Sequence, residues 1–356
     1  MPAPDDEPVV ESTPERTAAA SGVWMRNLFF VVGGSFVVII LTTFAFDAGW
    51  FGVSRDSNTK LAAQQAAFFQ PPSSASIPQG PSGDAIRRGE AIFTNTGAEA
   101  SMFVGNALSC SNCHLDGGRR ANSAPLWAAW VAYPKYRSKN KQINTMEDRI
   151  KGCFTYSMNA AASPSGGPPP AGHEVYKNLQ AYMHWLATGA PTGVDMAGAG
   201  YPVLQKSAPG YDPVRGERVF AANCSVCHGA DGQGQRAING HYVFPPLWGP
   251  NSFNWGAGMA RVNSAAGFIK ANMPFGQSNR LTDQQAWDVA AYVDSHERPK
   301  DPRQTGTIAE AAMKFHSGEA TLYGKVLNGR LLGQGVSPSS TTDTSSRGGQ
   351  QANRSR

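Results

Sequence analysis

Cysteine is scarce in this chain of 356 residues: there are five. An odd count leaves at least one thiol without an intramolecular disulfide partner. Two Cys-x-x-Cys pairs occur, but neither faces a second such pair, and a His follows the second Cys in both copies. Both a zinc half-site and a plain redox dithiol are poor fits to that pattern. A strong charge of one sign is also missing. The formal net charge is +5, and no basic run has the density or the aromatic interleaving of a nucleic-acid site, so no nucleic-acid partner is inferred. Long apolar runs are absent with one exception near the amino terminus. Glycine and proline, by contrast, are plentiful at 39 and 25 residues, which suits small domains rich in loops.

The Cys pairs carry the chemistry. Cys110-Ser-Asn-Cys113-His114 and Cys224-Ser-Val-Cys227-His228 both read CxxCH. In such a motif each thiol adds to a haem vinyl group and the adjacent His becomes an axial iron ligand. Two covalently bound haem c groups are therefore expected. Cys110, Cys113, Cys224 and Cys227 attach them, and His114 and His228 ligate the irons.

An internal repeat organises the chain. Arg88-Gly-Glu-Ala-Ile-Phe93 recurs as Arg215-Gly-Glu-Arg-Val-Phe220, each copy ahead of a CxxCH. Each copy predicts a first helix, with Asp84 and Asp212 as candidate N-caps. An aromatic amphipathic helix follows later in each half, over 175–186 and 283–293. The fold class expected is mainly α: two class I cytochrome c-like haem domains in tandem, preceded by one transmembrane helix.

The boundaries follow composition. Residues 1–23 read as a disordered cytoplasmic segment and 24–51 as a transmembrane anchor; 52–67 read as a tether. Residues 68–190 form the first domain, 191–204 a connector and 205–303 the second domain. Residues 304–356 form an extension, mostly disordered, with one short helix near 308–315. The anchor rests on Asn27–Phe46, twenty residues without a charge, a length that spans a bilayer core. A cleaved signal peptide is the competing reading, with Thr43-Phe-Ala45 as a passable site. Haem attachment in bacteria takes place outside the cytoplasmic membrane. A single-pass protein with periplasmic haem domains is therefore expected.

Each iron needs a sixth ligand. In the second domain Met273, followed by Pro274, stands in the loop before the last helix, and Met259 is its rival. In the first domain the corresponding stretch offers Cys153 and Met158, with His173 and His184 as further donors. A thiolate would lower the iron potential and leave a polarised sulfur beside the haem, which suits sulfur redox chemistry better than plain electron carriage. Arg119, Arg120, Lys135, Arg137, Lys139, Lys141, Arg149 and Lys151 crowd the same domain and suggest an anion funnel. Arg149, Arg119 and Arg120 rank first by their nearness to the haem ligands.

Three stretches carry a resemblance: CHLDGGRR (113–120), YPKYRSKNKQINTMEDRIKGCFTYSMNA (133–160) and FPPLWGPNSFNWGAGMAR (244–261). Together they resemble the dihaem thiosulfate dehydrogenases, over about residues 68–303. The resemblance implies His114 and Cys153 on a catalytic first haem, and His228 and Met273 on an electron-transfer second haem. It implies that two thiosulfates are joined into tetrathionate, with some relatives working in reverse. The electrons would pass to a c-type cytochrome or a terminal oxidase. The competing class is a membrane-tethered dihaem carrier, a subunit of a respiratory complex with no substrate of its own.

Overall fold

The computed structural model describes residues 68–137, 140–205, 208–238, 242–318 and 320–337. The expected anchor, its tether, the amino-terminal segment and the tail from 338 lie outside the described residues. Among the described residues no helix is long and apolar enough to cross a membrane.

Each CxxCH lies behind a helix that crosses a later one. Helix α1 (Pro81–Thr94) starts with Pro in its first turn, where the missing N–H is no loss. Asp84 is not its N-cap. Gly80 holds that place, and Asp84 lies in the first turn paired with Arg87 at 2.6 Å. Proline at the first helical position sets the start earlier than the acidic signal suggests. After the CxxCH come α2 (Leu126–Ala132), the exposed hairpin of β1 (Lys135–Arg137) and β2 (Gln142–Asn144), and α3 (Met146–Gly152). Helix α4 (Glu174–Leu186) buries Val175, Tyr176, Leu179, Tyr182, Met183 and Leu186, a helical stripe that packs on α1.

The second half repeats the frame. Asp212 does cap α5 (Pro213–Asn223), accepting from Val214 N at 2.7 Å. A small hairpin of β3 (Gln235–Arg236) and β4 (Tyr242–Phe244) follows, then α6 (Val262–Asn272) and α7 (Asp283–Asp294). Helix α7 opens with a reciprocal Thr282/Gln285 cap and crosses α5. The crossings share one device. A Cβ on Gly89 would overlap the Asn178 carbonyl oxygen, and a Cβ on Gly216 would overlap that of Asp288. Both glycines belong to the Arg-Gly-Glu repeat, so the repeat marks where two backbones touch.

The extension is ordered further than its composition suggests. Helix α8 (Ile308–Phe315) forms over the expected residues, capped by Thr307 and Glu310. A hairpin of β5 (Val326–Leu327) and β6 (Arg330–Leu331) follows. The segment packs back through Val262 N to Ala320 O (3.0 Å) and Gly333 N to Glu297 Oε1 (2.8 Å), and it buries Leu322, Tyr323 and Leu332. Those apolar residues are scattered among turns and show no period, so the sequence gives no hint of their burial. Asp301 fastens the segment, accepting from Arg303 Nε at 3.0 Å and lying 2.8 Å from His316 Nε2.

The two haem domains meet along a hydrogen-bonded seam. Ala107 N donates to Asn251 O (3.2 Å), and Asn272 Nδ2 donates to Asn122 O (2.9 Å). The connector joins the seam through Asn122 N to Gly198 O (2.8 Å).

Candidate haem and sulfur site

The first CxxCH is built from short turns. Cys110–Asn112 form a single 3-10 turn, with Ser109 and Asn112 capping each other. Thr96, fully buried, accepts from Cys110 N at 3.1 Å and sits 3.3 Å from Cys110 Sγ. Burial pushes the Cys110 and Cys113 thiols up to about 12. The nearby Cys153 contributes to both shifts. His114 Nδ1 lies 2.7 Å from Ala124 O, and burial holds the imidazole down at about 4. An imidazole kept neutral, with Nδ1 donating to a backbone carbonyl, presents Nε2 as a metal ligand.

The second CxxCH repeats the chemistry. His228 Nδ1 lies 3.1 Å from Pro245 O, and burial lowers the imidazole below its ordinary value. Burial raises the Cys224 thiol to about 11. In both halves the residues fit a c-type haem, since paired thiols precede an oriented, neutral imidazole.

Cys153 is where the halves part. Helix α3 does not stop at Gly152. It widens into a π-helical turn, Cys153–Ser157, closed by Met158 N to Cys153 O at 3.0 Å. Such turns mark functional sites in many helices. Arg149, one turn before Cys153 on the same face, donates from Nη1 to Cys153 Sγ at 3.1 Å. The Cys153 sulfur holds the Arg149 guanidinium above its ordinary value against its burial. The structure thus brings together Cys110, Cys113, His114, Cys153 and Arg149.

The other candidate donors are engaged elsewhere. Met158 is core, 3% exposed. His173 caps α4, accepting from Val175 N at 3.2 Å, and His184 is exposed and lies against Trp130. In the second half Met273 is half-buried directly after α6, whereas Met259 packs against the main core.

Arg119 and Arg120 are not gathered at Cys153. Arg119 donates to Pro72 O and Ser74 Oγ and lies over the Trp185 ring. Arg120 reaches the second domain, donating to Ser278 Oγ at 3.2 Å. Lys135 and Lys141 stay exposed on the β1–β2 hairpin. The basic run reads as a funnel in sequence, yet of its described members Arg149 is the one bonded to the Cys153 sulfur.

Two tyrosines were not expected here. Among the described residues the Tyr133 hydroxyl is buried without a hydrogen-bond partner, near Arg149. Burial drives the Tyr201 phenol well above its ordinary value, with Cys113 and Cys153 raising it further and Arg149 opposing. Tyr133 opens the most distinctive stretch of the sequence, which is a signal in hindsight. Tyr201 comes from the connector, where composition carries none.

The fold and both sites define a protein of two cytochrome c domains. Residues 213–297 match the cytochrome c family, and residues 90–192 match the SoxA/TsdA cytochrome c domain. The chain is 49% identical over 272 residues to a thiosulfate dehydrogenase of Stutzerimonas stutzeri, covering 76% of this chain and 86% of that protein. It is 48% identical over 277 residues to one from Thiomonas intermedia, covering 78% and 86%. A solved thiosulfate dehydrogenase (TsdBA) from Marichromatium purpuratum superposes with a TM-score of 0.74 at 52% identity. That match spans 76% of this chain and 59% of the solved one. The chain belongs to the thiosulfate dehydrogenases and is an oxidoreductase rather than a carrier alone.

Proposed function

We propose that this enzyme joins two thiosulfates into tetrathionate at Cys153 and passes the two electrons singly to a c-type cytochrome or a terminal oxidase. The observation that carries the reading is the 3.1 Å contact from Arg149 Nη1 to Cys153 Sγ beside the first CxxCH. His114 and Cys153 would hold one covalently attached haem, and His228 and Met273 the other. Bound there, the haems supply a one-electron relay.

The chain's own residues do the rest. Thiosulfate is a dianion, and the Arg149 guanidinium offers it charge and N–H donors. In the first half-reaction an S–S bond forms between the Cys153 thiolate and the terminal sulfur of thiosulfate, and two electrons leave for the acceptor. In the second, another thiosulfate attacks the sulfur bonded to Sγ. That breaks the bond to Cys153, releases tetrathionate and restores the thiolate with no further electron change. The second step is a thiol–disulfide exchange with Cys153 as leaving group. Residues 27–46 would anchor the enzyme by a single span, with both haem domains in the periplasm near the acceptor.

The test is anaerobic addition of thiosulfate to the purified full chain while the haem spectra are followed. Direct haem reduction with tetrathionate as product is the expected result. Haems that stay oxidised until a partner protein is added would overturn the reading. Tetrathionate added to the reduced protein then reports the reverse direction.

A further inference from the structure

The stretch 244–261 also carries the resemblance, yet the proposed chemistry uses none of it. In the fold, residues 251–256 leave the second domain and meet the turn that carries Cys153. Asn254 is fully buried. Its Nδ2 donates to Thr155 O at 3.0 Å and to Asn159 Oδ1 at 3.1 Å, and its Oδ1 accepts from Gly256 N at 3.0 Å. Its backbone N donates to Tyr156 O at 3.2 Å. The adjoining Gly256 lies flush on the Tyr156 ring, where a Cβ would overlap it.

These bonds answer a specific need. A helix leaves its last carbonyls without partners in the chain that follows. At the end of the Cys153 turn they are Thr155, Tyr156, Ser157 and Met158. Asn254 takes the first two. Asn106 Nδ2 takes Ser157 O at 2.7 Å and also reaches Ser252 O at 3.1 Å, and Gly105 N takes Met158 O at 2.9 Å. The turn is therefore held partly by a loop of the other domain.

The reverse arrangement occurs at the second site. Met273 follows α6 and is flanked by Asn272, which donates to Asn122 O at 2.9 Å. Beyond it, Phe275 lies under the Arg120 guanidinium, 5.8 Å from carbon to ring centre, and Ser278 accepts from Arg120 at 3.2 Å. Asn122 and Arg120 belong to the first domain.

We propose that the domain seam is a crossed positioning device: Asn254 of the second domain sets the Cys153 turn, and Arg120 of the first domain sets the Met273 loop. It rests on the reading of Cys153 and Met273 as axial ligands. Both are positioning residues, and neither needs to touch substrate. Each haem's distal ligand would then depend on the neighbouring domain being docked.

The test uses the full-length holoprotein and two variants, Asn254→Asp and Arg120→Met. The first keeps its shape and the bond from Gly256 N but loses both Nδ2 donors. The second keeps most of the stem and loses the donors. Each haem is followed by its ferric low-spin resonance signature and its midpoint potential, together with kcat and KM. Asn254→Asp should move the signature of the first haem, leave the second unmoved, and lower kcat about tenfold or more at nearly constant KM, the scale of the two lost hydrogen bonds. Arg120→Met should move the potential of the second haem and leave the first. Variants that keep both haems yet perturb only the haem of their own domain, or both alike, or neither, would overturn the proposal. Should Asn254→Asp not accumulate in folded form, Arg120→Met decides alone, since an unmoved second haem sinks the crossed arrangement. Cys153→Ala and Met273→Ala serve as references. If they leave their haems unchanged, the ligand reading fails. If they change them and the crossed pattern is missing, the positioning inference alone fails.

Discussion

The two haem domains are one frame used twice and finished differently. In both, an Arg-Gly-Glu helix crosses a later aromatic helix at a glycine, and a CxxCH imidazole is held through Nδ1 by a backbone carbonyl. They part in the segments that carry Cys153 and Met273. In the first domain the helix runs on through Cys153 in a widened turn, with Arg149 bonded to the sulfur. In the second domain α6 ends and Met273 follows in extended backbone. A thiol beside a cation can bind and exchange sulfur. A thioether cannot form that bond and tunes potential instead. If the proposed roles hold, the shared frame would secure haem binding, while a short segment outside it would decide whether a domain reacts or conducts.

The sharpest way to break this contrast is to remove the sulfur. Cys153→Ala should retain both haems, because attachment uses other cysteines, and should lose thiosulfate oxidation by about a thousandfold or more, as when a nucleophile is deleted. Turnover near the parent rate would erase the functional distinction between the domains. Next comes the cation. Arg149→Ala should lower kcat/KM about 10- to 100-fold, chiefly through KM, the range of a charge-assisted hydrogen bond to an anion. Steady-state kinetics at varied ionic strength checks it, and an unchanged KM would remove Arg149 from substrate binding.

The frame itself can be tested for equivalence. Gly89→Ala and Gly216→Ala each press a methyl into a backbone carbonyl and should cost about 1–3 kcal/mol. Thermal unfolding of the holoprotein measures both, and a tolerated change at one crossing alone would show that the repeat is not structurally equal. The last test concerns the extension packed on the second half. Burial alone would raise the Asp301 carboxyl, but hydrogen bonds from His316 and Arg303 hold it well below the ordinary range. A carboxylate lowered on folding stabilises above its unfolded value, about 3.9, and loses that contribution as pH falls through the folded one. Asp301→Asn should therefore destabilise by about 1–3 kcal/mol at pH 7. The gap to the parent should narrow as the pH is taken below about 4. Chemical unfolding at both pH values is the measurement, and a gap independent of pH would remove Asp301 from the clamp.

The candidate site was partly legible because the CxxCH pattern places particular residues at fixed spacing. Cys110, Cys113, His114, Cys224, Cys227 and His228 could be read that way, and Cys153 stood out by count. Asp212 was legible as a cap, and Asp84 was misread because Pro81 begins the helix a turn earlier. The arginines show where one-dimensional reading fails. Arg119 and Arg120 adjoin the first CxxCH in sequence, yet one is bound by the segment before α1 and the other by the second domain. Charge density along a chain does not say which way a guanidinium points.

What the sequence by itself determined is the local: the CxxCH motifs, the repeated helices, the thiol left over and the family these imply. Such features depend on near neighbours, so a linear pattern carries them. Only the tertiary structure decided that Arg149 meets Cys153, that Tyr133 and Tyr201 come close to them, that Asn254 holds the Cys153 turn from the other domain, and that Leu322, Tyr323 and Leu332 are buried. Those pairings join residues far apart in the chain. They arise because buried carbonyls and apolar side chains must find partners wherever the folded backbone brings them, and no spacing rule records where that is.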